Sequence, residues 1–566
     1  MAVEVFMPKA GMDMHEGTII RWLADVGDCV RQGEPLLEIE TDKVTMDVEA
    51  PADGVLLRKY FEEGSVVPVV TIIGYVGQEG EAVPEKPSMA GGTVRAADEE
   101  LLQREAAVKE ASEYEYRMAV IGGGSAGVSA ALRAASFGGK VILFEKSLIG
   151  GSGLNLASIP LLTYMRNARL IEACEKAAEI GIRVGDLPFQ PDAVMMGRYR
   201  RKIEDQIREE LTERLLKKGV EIVAEEAALI GRHHIRAGQK TYLAEKIIIA
   251  CGTRPKKLEL PGSDLECVIG AEELFELSFI PERLTIIGGG VLGCEIAAAW
   301  SRFGSKVTII EEKDQLLPTF DSEAALKIEE LFEKRGICIY TGARVKEFLD
   351  VEGHPAVILK DGKEIRFDVA VTAVGRTPDL DGAGVLKKRL DFERGKIVVD
   401  EYCRTGAEDV YACGDITNRS ILAHSAMKMG DAAASTACGA PKAIGLNRAP
   451  LCLYAIPEAA GIGMTEKEAR KQGEIMIGRC PFGRNMRAAA SGAADGFVKV
   501  IADKGYGEIL GVHIVGEQAT EMIVEAKTMM DMEITVYEVA DIVHPHPGWS
   551  EAFMEACADA IGMSVR

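Results

Sequence analysis

The chain has 566 residues, of which 47% are hydrophobic and 27% charged, and a formal net charge of −22 at pH 7. That length gives about three or four domains with ample apolar content for large cores, and that charge argues against nucleic acid or an anionic membrane as partner. The 12 cysteines are scattered without a CxxC or a His/Cys cluster, so no metal site and no disulfide framework is indicated. With no signal peptide and no apolar run of membrane-spanning length, the expectation is a cytoplasmic protein.

Residues 1–79 show short apolar stretches broken at Gly11, Gly17, Gly27, Gly33, Gly54 and Gly64, the pattern of a small all-β domain. Within it, LLEIETDKVTMDVEA (residues 36–50) reads as two alternating strands around Asp42 and Lys43, which puts Lys43 at the tip of a hairpin. Residues 80–114 are rich in Glu, Ala, Pro and Gly and turn charged and Ala-rich from Asp98 to Glu110. This composition is that of a flexible linker with some helical character.

Next comes an apolar strand, Met118 to Ile121, running straight into Gly122-Gly-Gly-Ser-Ala-Gly127 and an Ala/Leu-rich helix through Ala135. The following strand ends at Glu145. Strand, glycine turn, helix, strand and acid in this order make a dinucleotide site. Gly122, Gly124 and Gly127 permit the turn and close backbone approach, the helix N-terminus faces a pyrophosphate, and Glu145 suits a ribose hydroxyl. Helical spacing then returns from Lys202 to Lys218, and a buried strand from Lys246 ends at Cys251 and Gly252.

A second copy of the pattern begins at Leu284, with Gly288, Gly290 and Gly293 in the turn and Glu311-Glu312 closing the next strand at Ile310. Two acids with no arginine beside them favour NAD(H) over NADP(H). Cys251, Cys294 and Cys413 fall inside these nucleotide motifs and read as core packing.

Residues 150–162, GGSGLNLASIPLL, resemble the active-site helix of the pyridine nucleotide-disulfide oxidoreductases, dihydrolipoyl dehydrogenase above all, where the pattern is GGxCxNxGCIPxK. The two cysteine positions are taken by Gly153 and Ser158 and the lysine position by Leu162, while Gly150, Gly151, Leu154, Asn155, Ile159 and Pro160 remain. Neither Gly nor Ser forms a thiolate, so no disulfide relay can run at these positions. The ETDK turn, with Met7-Pro8-Lys9 and Pro51-Ala52-Asp53-Gly54 around it, resembles a lipoyl domain and implies a lipoyl group on Lys43.

The resemblance spans the chain. It implies an α/β flavoprotein of two Rossmann-type FAD/NAD(P) domains with an α+β dimerisation domain, preceded by a small all-β lipoyl domain (a flattened β-barrel). The divisions are 1–79 lipoyl, 80–114 linker, 115–261 FAD-binding, 262–384 NAD-binding, 385–450 return to the FAD domain, and 451–566 dimerisation. It assigns FAD to Gly122, Gly124, Gly127, Glu145, Gly151, Ser152, Asn155, Gly252, Gly414, Asp415, Leu422 and Ala423. NAD(H) goes to Gly288, Gly290, Gly293, Glu311 and Gly375. Glu295 falls beside the nicotinamide and flavin ring, and without a lysine at position 162 its pKa is expected to rise. The pattern HxHPTxxE matches His544-Pro-His-Pro-Gly-Trp-Ser-Glu551, making His546 the acid-base group, oriented by Glu551 and serving the flavin of the second subunit of a homodimer. Gly548 and Trp549 depart from the usual Thr-Leu, which points to an altered acceptor pocket.

Three functions are then open. The first is hydride transfer between NAD(H) and FAD with a non-disulfide site, and a small-molecule donor or acceptor as second substrate. The second is true dihydrolipoyl dehydrogenase activity by direct flavin-thiol chemistry, with other lipoyl-bearing or 2-oxoacid dehydrogenase-type subunits as partners. The third is an idle FAD-binding carrier or assembly subunit. The retained nucleotide fingerprints and the His/Glu pair argue against the third.

Overall fold

A computed structural model describes residues 2–8, 16–40, 45–69, 71–78, 80–81, 83, 114–182, 190–351, 353–446 and 448–564. The chain divides into two compact units, residues 1–113 and 114–566. Lys43 and most of the linker lie outside the described residues.

The first unit is two four-stranded antiparallel sheets. One runs in the order Val3–Phe6, Ile72–Gly77, Gly54–Lys59, Cys29–Val30, the other Thr45–Glu49, Pro35–Glu40, Glu16–Trp22, Val66–Pro68. Its strands alternate, so Ile19, Leu37, Ile39, Val48, Leu56, Val67, Ile73 and Val76 meet in one core. The expected hairpin is present on both sides of position 43, with Ile39 opposite Met46 and Glu40 opposite Thr45.

The second unit opens with five parallel strands, ordered Val220–Val223, Val141–Phe144, Tyr116–Ile121, Lys240–Ile249, Val410–Ala412. The middle strands are near-continuous apolar runs because helices cover both faces. Helix Ser125–Ser136 lies directly against helix Ala423–Ala437. Gly430 permits that approach, since a Cβ there would overlap the Ala126 carbonyl. Sequence spacing predicts a helix over 202–218; the observed one is longer, Ala193–Lys217, capped by the Asp192 side chain.

A second parallel sheet follows, ordered Val268–Gly270, Val369–Thr372, Arg283–Ile287, Lys306–Ile310, Cys338–Tyr340. The chain leaves the first sheet through Thr253–Pro255 and returns through Arg376–Pro378, and these two segments pair antiparallel. Residues 451–515 then build a five-stranded antiparallel sheet packed by helices Ala519–Asp531 and Glu551–Ala560.

Ion pairs carried by distant residues tie these parts together. Glu172, 7% exposed on helix Ser158–Lys176, takes Lys176, Arg302 and Arg335 at 2.8, 3.3 and 3.0 Å. Arg169 of the same helix bonds Glu458 at 2.5 Å. The helix that begins at Ser158 is therefore clamped to both neighbouring domains. Lys499, 1% exposed, meets Asp321, Glu323 and Glu466 at 2.9, 3.0 and 2.7 Å. Burial alone would lower the Lys499 pKa, but the three carboxylates outweigh it and the net shift is upward. Lys499→Met leaves Asp321 buried without its cation and is expected to cost about 3–5 kcal/mol, read as a fall in the denaturant midpoint of the holoprotein.

Candidate functional site

The two glycine turns are built alike. In the first, Gly122 has φ +108° and a Cβ on it would overlap the Ala250 carbonyl; a Cβ on Gly127 would overlap the Gly122 carbonyl. Glu145 closes the turn, Oε2 accepting the Gly123 N–H at 2.7 Å and Oε1 the Ser147 N–H at 2.8 Å. In the second, Gly288 has φ +111° and a Cβ on Gly293 would overlap the Gly288 carbonyl. Glu311 accepts the Gly289 N–H at 2.6 Å and the Lys313 N–H at 2.7 Å. Each acid thus fixes its own turn. Arg344, invisible in the local sequence, pairs with the exposed Glu312 at 3.0 Å. It corrects the expectation of no arginine beside this strand end: its charge is matched by Glu312, and Glu311 keeps its backbone partners.

The first turn opens into a cavity of about 510 Å³. Gly122, Gly124, Glu145, Gly151, Ser152, Asn155, Gly252, Gly414, Asp415 and Ala423 all line it. Gly127 and Leu422 do not: Gly127 packs beneath the turn, and Leu422 is the residue preceding helix Ala423–Ala437. Asn155 is 9% exposed, donates to the Gly151 carbonyl at 2.9 Å and accepts from Arg208 at 2.9 Å, which holds the Gly150-Gly151 bend in place. A Cβ on Gly151 would come within 2.7 Å of the Gly124 Cα, so only glycine lets the two loops close on each other.

At its other wall the cavity meets Gly153, Leu156, Ala157 and Ser158. Gly153 lies on the short helix Gly151–Asn155, and Ser158 opens helix Ser158–Lys176. Leu162, one turn further on, is 38% exposed and does not reach the lining. Two thiols do line the cavity, Cys251 and Cys413. The Cys251 Sγ is tucked against the Ile121 carbonyl at 3.5 Å, and burial pushes its pKa up to about 12. Cys413 is 0% exposed in the sheet core, and burial holds its thiol well above the ordinary range. Both are protonated packing residues at neutral pH.

Glu295 is 8% exposed on helix Val291–Arg302, where its Oε1 accepts the Tyr454 N–H at 2.8 Å. Burial pushes its pKa up to about 7 against the opposing pull of that N–H. His546 and Glu551 form the expected pair, Nδ1 standing 2.8 and 3.1 Å from the two carboxylate oxygens. Glu295 and His546 are not among the residues lining the cavity of their own chain. Gly375, with φ +103°, accepts the Lys256 N–H at the junction between the two sheets.

Sequence reasoning passes over Arg376. It lines the cavity and joins three segments, donating to Ser152 Oγ at 3.0 Å, Thr253 Oγ1 at 2.8 Å and the Thr253 carbonyl at 2.7 Å. Its place inside Val374-Gly-Arg-Thr-Pro378, where the chain returns, is the available signal. Glu272 lines the same cavity with Oε1 buried and lacking a hydrogen-bond partner, and burial raises its pKa while Arg376 opposes. Asp415 is raised in the same way, burial outweighing Arg376 and Lys396.

Residues 116–430 match the family described as pyridine nucleotide-disulphide oxidoreductase, and residues 449–557 its dimerisation domain. The chain belongs to the pyridine nucleotide-disulphide oxidoreductase family. Residues 3–76 match the family described as biotin-requiring enzyme, the biotin/lipoyl domain. A dihydrolipoyl dehydrogenase of Bacillus subtilis is 33% identical over 79% of this chain and 99% of its own length. One of Thermus scotoductus is 35% identical over 78% and 96%. Among solved structures, LpdA of Mycobacterium tuberculosis superposes with a TM-score of 0.73 at 27% identity, covering 78% of this chain and 98% of that one. The HOCl-induced flavoprotein disulfide reductase RclA of Escherichia coli gives 0.71 at 25% identity over 78% and 99%.

The protein is thus an NAD-linked FAD oxidoreductase of the dihydrolipoyl dehydrogenase-like type, with FAD and NAD(H) as cofactors. The first cavity fits FAD: its glycines leave open space beside the backbone at Gly124 and Gly252, where an added Cβ would meet no atom closer than 3.9 Å. FAD supplies the hydride chemistry and the protein orients it. Gly127→Ala is expected to abolish flavin retention, seen as loss of yellow absorbance in the purified protein. Gly293→Ala is expected to keep the flavin while NADH affinity falls at least about tenfold, measured by titrating flavin reduction.

Proposed function

We propose that this member of the family moves hydride between NAD(H) and FAD with no thiol pair between the flavin and its second substrate. The single observation supporting this is the cavity wall at Gly153 and Ser158, where the family pattern carries its cysteines. The half-buried Cys251, its pKa pushed up to about 12, and the buried Cys413 offer no replacement, because neither thiol is a thiolate at neutral pH. The proposed site assignments are those made from the sequence: FAD in the first cavity, NAD(H) at the turn closed by Glu311, and Glu295 at the nicotinamide side. His546 holds or releases a proton at Nε2 while Glu551 keeps Nδ1. The family resemblance assigns His546 to the flavin of a second subunit in a homodimer, and His546 does not line its own chain's cavity. The second substrate in this reading is a small-molecule donor or acceptor, and a lipoyl group on Lys43, tethered by the linker at a raised effective concentration, is the substrate of the second reading below.

A second reading, true turnover of dihydrolipoyl groups by direct exchange between their thiols and the flavin, is favoured by the biotin/lipoyl match over residues 3–76. Association with 2-oxoacid dehydrogenase-type subunits belongs to that reading. The test is stopped-flow reoxidation of the NADH-reduced holoenzyme by lipoamide, by isolated lipoyl domain and by quinone in turn. Fast reoxidation by quinone and slow reoxidation by lipoamide support direct transfer without thiol chemistry. Lipoamide as the fastest oxidant supports the second reading, and failure of NADH to bleach the flavin rejects both.

A further inference from the structure

A side chain from outside residues 544–551 holds the loop that carries His546. Asn485 is 5% exposed and its amide is used at both ends. Its Oδ1 accepts the Ala488 N–H at 2.9 Å, capping helix Met486–Ala490. Its Nδ2 donates to the Gly548 carbonyl at 2.9 Å. The orientation of the amide is fixed by these partners, since one is an N–H and the other a carbonyl. Gly548 passes the constraint on, for its N–H donates to Glu551 Oε2 at 2.8 Å and Glu551 in turn holds His546 Nδ1 at 2.8 Å. The neighbouring residue repeats the grip, because the Trp549 ring packs on Phe482, itself 0% exposed, with centroids 5.5 Å apart. A Cβ at Gly548 would overlap the Pro545 carbonyl, so this tight course of the loop tolerates only glycine there.

We propose that Asn485 is a positioning residue for His546, acting through Gly548 and Glu551 to hold the imidazole where its Nε2 meets the second substrate. This inference rests on the acid-base role given to His546 above. Asn485→Asp and Asn485→Ser test it, because both side chains still cap the helix but neither presents the amide donor to Gly548. The holoenzyme is compared in two ways. Hydrogen exchange is followed in the peptide spanning residues 544–552 and in the peptide spanning 486–493. Stopped flow separates flavin reduction by NADH from reoxidation by lipoamide or quinone.

The expected result is exchange at the Gly548 amide faster by up to about tenfold, the free energy of one hydrogen bond. Protection of Ala488 and the rate of reduction by NADH stay unchanged, and reoxidation slows about 10- to 100-fold, the usual penalty for a misplaced catalytic group. Unchanged exchange at Gly548 in both variants overturns the proposal. So does loss of protection at Ala488 with reoxidation intact, which reduces Asn485 to a helix cap. Should the wild type be reoxidised by no acceptor, the proposed function falls, while the exchange comparison still decides whether Asn485 holds the loop.

Discussion

The double variant Gly153→Cys/Ser158→Cys is expected to gain NADH-dependent lipoamide reduction by about 10²-fold or more over the wild type, well inside the roughly 10⁶ that loss of a catalytic nucleophile costs elsewhere. The geometry allows the restoration. A Cβ at Gly153 has Ser125 Oγ as its nearest neighbour at 3.6 Å, an ordinary contact. Ser158 and cysteine differ by one atom, and both positions face the same cavity. Position 158 opens a 19-residue helix, whose N-terminal dipole stabilises a thiolate. Anaerobic NADH reduction of the variant is expected to produce a long-wavelength thiolate-to-flavin absorption band that the wild type lacks. If mass analysis shows the disulfide formed, yet neither band nor lipoamide turnover appears, the wall at Gly153 and Ser158 is not where the second substrate exchanges electrons.

Glu295 carries the second large effect. Its pKa is pushed from 4.5 up to about 7 by burial, with the Tyr454 N–H opposing. The other titratable groups around it, Cys294, Cys452 and Tyr454, are themselves pushed up by burial and neutral near pH 7, so none supplies a countercharge. A carboxyl raised on folding binds its proton more tightly in the native state, so native stability falls as pH rises from about 4.5 to 7. The loss amounts to roughly 3 kcal/mol at about 1.4 kcal/mol per pKa unit, complete above the folded pKa. Glu295→Gln removes that slope, and its melting temperature is expected to exceed the wild type's at pH 8 and to match it near pH 5. The rate of flavin reduction by NADH is expected to show an inflection near pH 7 in the wild type and none in Glu295→Gln. Parallel pH profiles for the two proteins would contradict the assignment.

The features legible in the amino-acid sequence are those encoded within one supersecondary unit. Each glycine turn, its helix and the acid that closes it lie within about 25 residues, so Gly122 to Glu145 and Gly288 to Glu311 stand out as nucleotide turns. The spacing of His546 and Glu551 announces their pairing in the same way. The illegible part depends on residues far apart in the chain. Arg376 reaches Ser152 across 224 positions, and Lys499 reaches Asp321 across 178. Asn485 reaches Gly548 across 63. No local pattern distinguishes Lys499 or Asn485 from solvated surface, and Arg376 is marked only by its place in the returning segment 374–378. The spacing of Gly127 fits a cofactor contact in the fingerprint, whereas its missing Cβ serves the packing of the turn itself. Arg344 escapes notice beside Glu312 because it comes from beyond the next strand. The hairpin around Lys43 is legible from alternation, and its flanking strands pair as that alternation requires.

The most direct measurement is the stoichiometry of anaerobic reduction. A flavin alone accepts one hydride, whereas a flavin coupled to a redox-active disulfide accepts two. Titration of the wild-type holoenzyme with NADH is predicted to bleach the flavin fully at one equivalent per FAD, with no thiolate-to-flavin band at any point. A second equivalent consumed per flavin, with that band rising midway, would contradict the account and restore a thiol pair to the site.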